Sequence, residues 1–370
     1  LSKNADVVVI GGGIIGLSVA WRLIKSGVSV AVLEQGQVGA QASGAAAGML
    51  APLSEADKPG PFVELGIASL RMYHDFVADL KEATGLETEC VSPGLLRVAM
   101  NEEEAKSLQM ANRWQQATGL KVVFLTGEEA REVEPGLSVN IVAATLSPDE
   151  KQYESPRLVR ALALACARKG VQIMENAPVV GFQTSGDRVS HVKSLNDIWE
   201  CAKVVIAGGA WSKAIGDWLK VNLPVSPIRG QILSLRALPP PICFTIYSHA
   251  GYLVPRTDGR IVAGATAEEA GFDSRPTAGG IAHLLTMVPS LVPSLKEAVF
   301  DSVWAGLRPA TPDHLPILGP LPGWQNVHAA CGHFRNGILL APITGEVVAM
   351  SVLDHQAHPL LEAFRADRFQ

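Results

Sequence analysis

The stretch "DVVVIGGGIIGLSVAWRLIKSGVSVAVLEQG" at 6–36 narrows the possible folds more than any other part of this chain. Val7 to Ile10 is a short apolar run, suited to a strand buried on both faces of a parallel sheet. Gly11, Gly13 and Gly16 follow at G-x-G-x-x-G spacing and open an amphipathic helix running toward Gly27, where a left-handed glycine would end it. Val28 to Leu33 is a second apolar strand, closed by Glu34, 18 residues after Gly16. Each part has a task in holding a dinucleotide. Gly11 permits the tight turn, Gly13 admits the pyrophosphate to the backbone, and Gly16 lets helix and strand pack closely. The helix N-terminus favours phosphate charge, and Glu34 is placed to accept bonds from ribose hydroxyls. The triplet alone also fits an ordinary βαβ unit. The order strand, turn, helix, strand, acid selects the dinucleotide reading.

Composition removes several classes. With 370 residues, 48% hydrophobic and 18% charged, the chain is a packed globular protein large enough for two domains. Its net charge is −5 with no basic block, so nothing electrostatic favours a nucleic-acid partner. Five scattered cysteines without C-x-x-C argue against a disulfide framework or a zinc site, and no metal is expected. No apolar run approaches the roughly 18 residues a bilayer requires. The run at 14–24 follows glycines rather than a basic segment, so the cytoplasm is the expected location and no membrane partner is expected.

The choice between FAD and NAD rests on organisation. A simple nicotinamide domain would continue directly into its second βαβ half. Here the chain enters "GQVGAQASGAAAGMLAP" (36–52), small residues that let backbone pass beside a large flat ligand. A strand with a Gly-Gly turn returns only at "AKVVIAGGAWS" (202–212), and a third glycine-flanked stretch, "CGHFRNGILLAPITG", lies at 331–345. Three separated contacts fit one long cofactor, which favours FAD. Between them, "GYLVPRTDGRIVAGAT" (251–266) predicts a hairpin turning at Asp258-Gly259, while 94–101 and 231–238 predict strands. Helices are expected over 61–83, 102–117 and 155–169. The expected architecture is α/β plus antiparallel β: a Rossmann-like FAD-binding domain formed by 1–85, 152–225 and 309–370, with a discontinuous antiparallel-sheet substrate domain from 86–151 and 226–308.

Together, "VVVIGGGIIG…E", "SGAAAGML", "WAGLRPATPD" and "GHFRNGILLAPITG" resemble the D-amino-acid oxidase and sarcosine oxidase superfamily of flavoproteins, in particular the bacterial glycine oxidases of the thiamine pathway. The resemblance covers essentially the whole chain. It implies non-covalent FAD, a homo-oligomer that is commonly a tetramer, a small amino-acid or amine substrate, and O2 as acceptor. It also implies oxidation of glycine to an imine used to build a thiazole ring. By position, it assigns Ile14, Ile15, Glu34 and Gln35 to adenosine and pyrophosphate contacts, and Val179 to a backbone contact with adenine. Ser43, Gly48 and Met49 fall beside the pyrophosphate and flavin, and Ala42, Ala47 and Gly209 are further cofactor-binding positions. His333, Phe334, Arg335, Asn336, Gly337, Ile338 and Leu339 form the loop against the flavin pyrimidine edge. Met49 and Glu55 are active-site positions as well. Three departures appear: Ala42 offers only backbone, Ala267 stands where relatives have a methionine, and Ala250 where they have a histidine.

The chemistry singles out further residues. Flavin-dependent amine oxidation needs the substrate carboxylate fixed, the Cα–H bond aimed and water excluded. A planar guanidinium suits the carboxylate. Arg308 ends an apolar strand before Pro309 and is the first candidate; a structural alternative would pair it with Asp313. Tyr252, at a strand start, would add its hydroxyl. Arg335 lies where the loop meets substrate, its main-chain carbonyl orienting the amine by resemblance and its guanidinium adding positive field. Two rival enzymes share these features: a D-amino-acid or D-proline dehydrogenase with another electron acceptor, and an oxidase of an aminomethylated tRNA base.

Overall fold

The computed structural model describes residues 2–91, 93–353 and 358–369. The strand Ser2–Ile10 lies between Val30–Leu33 and Ile198–Ile206, parallel to both, with Val9 opposite Val32 and Val205. Gln172–Met174 extends this sheet parallel on one side. On the other side Ile198–Ile206 is followed by Val327–Cys331, again parallel, and by an antiparallel meander of Val179–Ser185 and Arg188–Ser194. Val7 to Ile10 of the opening strand are apolar on both faces because both faces are covered there.

Four helices cover one face: Ile14–Lys25, Pro61–Thr84, Ser155–Arg168 and Gly337–Val352. Leu17, Trp21, Leu65, Leu80, Leu162, Leu340 and Val347 meet there in one core. The carboxyl-terminal helix Gly337–Val352 approaches the opening helix closely at Gly345, where a Cβ would stand 2.7 Å from the Ser18 carbonyl oxygen. This helix contains Pro342, which has no N–H for the Ile338 carbonyl. The Tyr73 hydroxyl from Pro61–Thr84 donates to that carbonyl instead, and Ser69 Oγ donates to the next one, Leu339, at 2.6 Å. Two side chains of the neighbouring helix thus repair the ladder that Pro342 interrupts.

The second large sheet has the order Val299–Ala310, Ser226–Arg236, Arg260–Gly264, Gly251–Pro255, Thr245–Ser248, Leu95–Ala99, Ala143–Ser147, Val123–Thr126. The predicted hairpin is present, with Gly259 in the left-handed region at φ 83°. The helices expected over 61–83, 102–117 and 155–169 are Pro61–Thr84, Glu102–Gln115 and Ser155–Arg168. A short three-stranded sheet, Met49–Leu50, Lys151–Tyr153 and Cys90–Val91, lies outside the two large ones.

Alternation along the second sheet decides what it offers to the first. Ile228 pairs with Arg308, Gly230 with Gly306 and Ile232 with Trp304, while Ile232 and Tyr252 both pair with Gly264. Opposed residues share a face. Arg308 and Tyr252 therefore stand on one surface floored by Gly230, Gly264 and Gly306.

Candidate active site

A cleft of about 1080 Å³, counted out to its open mouth, runs between that glycine floor and the edge of the parallel sheet. Gly13, Ile14 and Ile15 from the first turn line it, with Ala42, Ser43, Ala47, Gly48 and Met49 from the small-residue run. Gly209 lines it too, as do Glu55, Tyr252, Arg308, His333, Phe334, Arg335, Asn336, Gly337 and Ile338. Residues predicted from six separate stretches meet in one space.

The remaining assignments fall around it. Gly11 has φ 112° and its Cβ would lie 2.3 Å from the Ala207 carbonyl oxygen; Gly16 sits under the same turn, 2.0 Å from the Gly11 oxygen by the same measure. Both shape the turn rather than line the cleft. Glu34 is buried, and its carboxylate accepts from Gly12 N–H at 2.7 Å and Gly36 N–H at 2.9 Å. Gln35 follows it, exposed, and Val179 begins the meander opposite Ser194. Leu339 is fully buried in the helical core, one residue beyond Ile338. Of the departures, Ala250 lies in the tight turn before Gly251–Pro255, and Ala267 directly after Thr266.

The small-residue run has a mechanical reason. Gly306 packs under it, where a Cβ would come within 2.7 Å of the Ala45 Cβ. Trp304 Nε1 donates to the Ala45 carbonyl at 3.0 Å, and the buried Arg256 donates to the Ala47 carbonyl at 2.6 Å. Gly48 has φ 84°, and a Cβ there would overlap the Tyr153 carbonyl oxygen. The run is fixed to the antiparallel sheet and to the small three-stranded sheet, which sets one wall of the cleft.

The polar groups divide in two. Deep in the cleft, the half-buried Arg308 lies flat over Gly230, whose Cβ would be 2.3 Å from the guanidinium carbon. Its Nη1 donates to the Thr266 carbonyl at 2.8 Å. Among the described residues no carboxylate forms an ion pair with it; Asp313, the alternative partner, pairs with Arg368 at 2.8 Å. Burial lowers the Arg308 pKa, and the nearby Tyr252 opposes this. Burial likewise raises the Tyr252 hydroxyl, opposed by Arg308. At the mouth, Arg335 donates to Glu55 and to the Tyr247 hydroxyl, with its guanidinium 5.9 Å from the Tyr247 ring centre. Burial acts to lower the Arg335 pKa, but Glu55 and Tyr247 together hold it above the ordinary value.

Tyr247 was absent from the sequence reading. It lies directly opposite Tyr252 across the turn at 248–251, and "YSHAGY" spacing carries that signal once the turn is placed. Gly230, Ile232 and Gly306 were also missed, since only strand pairing brings them to the cleft. His333 is buried with Nε2 3.0 Å from Thr344 Oγ1, and burial holds its pKa down at about 3, so it is neutral and structural at ordinary pH.

The cleft fits FAD. The opening helix and the helix Gly337–Val352 both begin at its wall; neither N-cap residue caps its own helix, and Ser43 Oγ accepts only the Ile14 N–H, at 3.0 Å, so their positive ends lie toward the space. Gly209 has φ 53° and nothing within 4 Å of where a Cβ would be, which leaves open volume beside it. Among the described residues no group of acids, histidines or cysteines could hold a metal ion, and no helix is long and apolar enough to cross a membrane.

Two features therefore define the class: a parallel sheet presenting a G-x-G-x-x-G turn, and an antiparallel sheet presenting to the same cleft an arginine that no carboxylate among the described residues pairs. Residues 6–350 match the family model of FAD dependent oxidoreductases, and the chain belongs to that family, a flavoprotein enzyme with FAD as its cofactor. Within it, the chain is 36% identical to the glycine oxidase of Bacillus licheniformis over 369 residues, covering 100% of this chain and 98% of the relative. The crystal structure of glycine oxidase from Geobacillus kaustophilus superposes with a TM-score of 0.96 at 35% identity, covering 98% of both chains. The bifunctional protein ThiO/ThiG of Synechocystis is 35% identical over 376 residues, matching 100% of this chain and 55% of that longer protein.

Proposed function

We propose that this protein oxidises glycine and other small amines, including sarcosine and small D-amino acids. The product is an imine, which water converts to the 2-oxo acid with release of ammonia or an amine, while O2 is reduced to H2O2. The observation that carries this reading is Arg308, a half-buried guanidinium without a carboxylate partner among the described residues, set beside the Tyr252 ring. Of the two arginines that line the cleft, Arg335 is paired with Glu55. Arg308 is the one left for a substrate carboxylate.

FAD, when bound, accepts the hydride that leaves the substrate Cα. The chain does the rest by position. Arg308 and the Tyr252 hydroxyl grip the carboxylate and so fix the direction of the Cα–H bond. The Arg335 carbonyl orients the amine, while its guanidinium, tied to Glu55 and Tyr247, adds positive field at the mouth. Met49, Ile232 and the alanine run keep water from the reacting face. Gly13, Ile14, Ile15 and Ser43 are assigned to the pyrophosphate, Glu34, Gln35 and Val179 to the adenosine end, and His333 to Leu339 to the flavin.

The glycine oxidase names of the relatives support the substrate, and the name ThiO/ThiG supports a place in thiamine biosynthesis, with iminoglycine supplied for thiazole formation. Family resemblance supports a homo-oligomer, commonly a tetramer, and the scattered free cysteines support the cytoplasm. Strand membership of the two large sheets supports the domain limits read from the sequence. The test is peroxide release in air by the purified holoprotein with glycine, sarcosine, D-alanine, D-proline and a buffer blank. Peroxide from glycine is expected. Flavin bleaching by an amine without oxygen, and no peroxide in air, would replace the oxidase reading with a dehydrogenase.

A further inference from the structure

The strand Ser226–Arg236 has two faces, and the chemistry above uses only one. Gly230 and Ile232 face the cleft; Arg229 and Gln231 point behind the sheet, where both are buried. There they converge on Glu268. Arg229 Nε donates to Glu268 Oε2 at 3.1 Å and its Nη2 donates to the same oxygen, while Nη1 donates to the Arg275 carbonyl at 3.2 Å and the Asp273 carbonyl at 3.4 Å. Gln231 Nε2 donates to Glu268 Oε1 at 2.7 Å and to Thr277 Oγ1 at 3.0 Å, and Gln231 Oε1 accepts from Thr277 N–H at 2.7 Å.

These bonds fasten the segment 266–277 to the back of the strand. The main chain reinforces them: Arg229 and Glu268 exchange N–H to carbonyl bonds at 2.9 and 3.0 Å, and Gln231 N–H donates to Thr266 Oγ1 at 2.9 Å. The Thr266 carbonyl, the first acceptor in this segment, is the one that receives Arg308 Nη1. A charged cluster with a buried arginine and a partly buried glutamate is a poor way to gain stability over apolar packing, but it fixes geometry.

We infer that Glu268, supported by Arg229 and Gln231, is a positioning residue for the substrate carboxylate. It fixes the Thr266 carbonyl that occupies one corner of the Arg308 fork and leaves the Nε–Nη2 edge for one carboxylate in one plane. The inference rests on Arg308 being the carboxylate clamp. It assigns substrate orientation to residues on the far side of the sheet, none of which touches the cleft.

The experiment titrates the FAD-loaded protein with acetate and, separately, with ethylamine, following the flavin absorbance, and measures KM and kcat for glycine. Glu268→Gln is compared with the unaltered protein. Gln231→Met, close in length, carries the test if Glu268→Gln fails to accumulate with flavin. In either variant the acetate Kd and the glycine KM are expected to rise about 5- to 10-fold, the scale of one weakened bond to a charged group. Ethylamine affinity, flavin content and kcat at saturation should change far less. Unchanged acetate binding overturns the inference, and so does equal weakening of acetate and ethylamine, which would mean general loosening. Arg308→Ala separates the levels. If it binds acetate as well as the unaltered protein, the clamp itself falls and the inference with it. If it loses acetate while the Glu268 and Gln231 variants do not, only the positioning role falls.

Discussion

Arg308 and Arg335 enter the same cleft under different constraints. Arg308 is half-buried and bonded to one carbonyl, so its charge awaits a partner from the ligand. Arg335 is more exposed, at 38%, and already paired with Glu55 and Tyr247. Arg308→Ala is therefore expected to raise the glycine KM by about 100-fold or more, as losses of one member of a buried charge pair do. Arg335→Ala should raise it by less than about 10-fold, because the native pair at the mouth is partly solvated. Steady-state kinetics of the two variants check this division; equal effects would sink it. The identity of both arginines was legible in the sequence, since each sits beside a proline or glycine that interrupts an apolar run. What separates them was not. The Thr266 carbonyl, Glu55 and Tyr247 reach them from segments 42, 280 and 88 residues away.

At the scale of the element, two features make the geometry: a strand with a glycine at its centre and a helix with a proline inside it. Gly230 leaves the flat space over which Arg308 lies, so Gly230→Ala, placing a Cβ 2.3 Å from the guanidinium carbon, should displace the side chain without removing it. Its expected signature is a glycine KM raised toward that of Arg308→Ala, with FAD retained. Retention of normal KM in a folded variant would refute the placement. In the carboxyl-terminal helix, Tyr73→Phe leaves the Ile338 carbonyl without its donor in a buried setting. A loss of about 1–3 kcal/mol in unfolding free energy is expected, measured by denaturant titration of the holoprotein. The first strand–turn–helix–strand unit and the hairpin at Asp258-Gly259 were plain in the sequence because their signals are local. The antiparallel meander at 179–194 and the small sheet around Met49 were not, since short strands with mixed polarity owe their form to neighbours.

At the scale of the whole molecule, the buried Glu150 and His333 have opposite effects on stability. Glu150 is fully buried, accepting from the N–H groups of Leu53 and Ser54 and from Ser54 Oγ. Burial pushes its pKa up to about 7, from 4.5. A carboxyl raised on folding binds its proton more tightly in the native state, so its contribution is complete below about pH 4.5 and lost as pH rises to 7. His333, held near 3 by burial, works the other way: its contribution is present above the ordinary histidine value and lost as pH falls toward 3. Glu150→Gln keeps an acceptor for the two N–H groups and abolishes the first titration. Its stability relative to the unaltered protein should improve by about 3 kcal/mol between pH 4.5 and 7 and then level off. Unfolding curves across that range test the sign; a flat difference would mean that Glu150 is ionised throughout.

The helix Gly337–Val352 fills the flank of the opening helix, with Gly345 against Ser18. In a growing chain these two pieces are made far apart. Leu17 and Trp21 emerge long before their cover, which arrives only when translation has passed residue 352. The nucleotide-binding half cannot close before that point, however well its first strand and turn have formed. Until then the polypeptide carries an open apolar flank, a target for holding chaperones and for proteases. A chain stopped short of 337 would stay in that state.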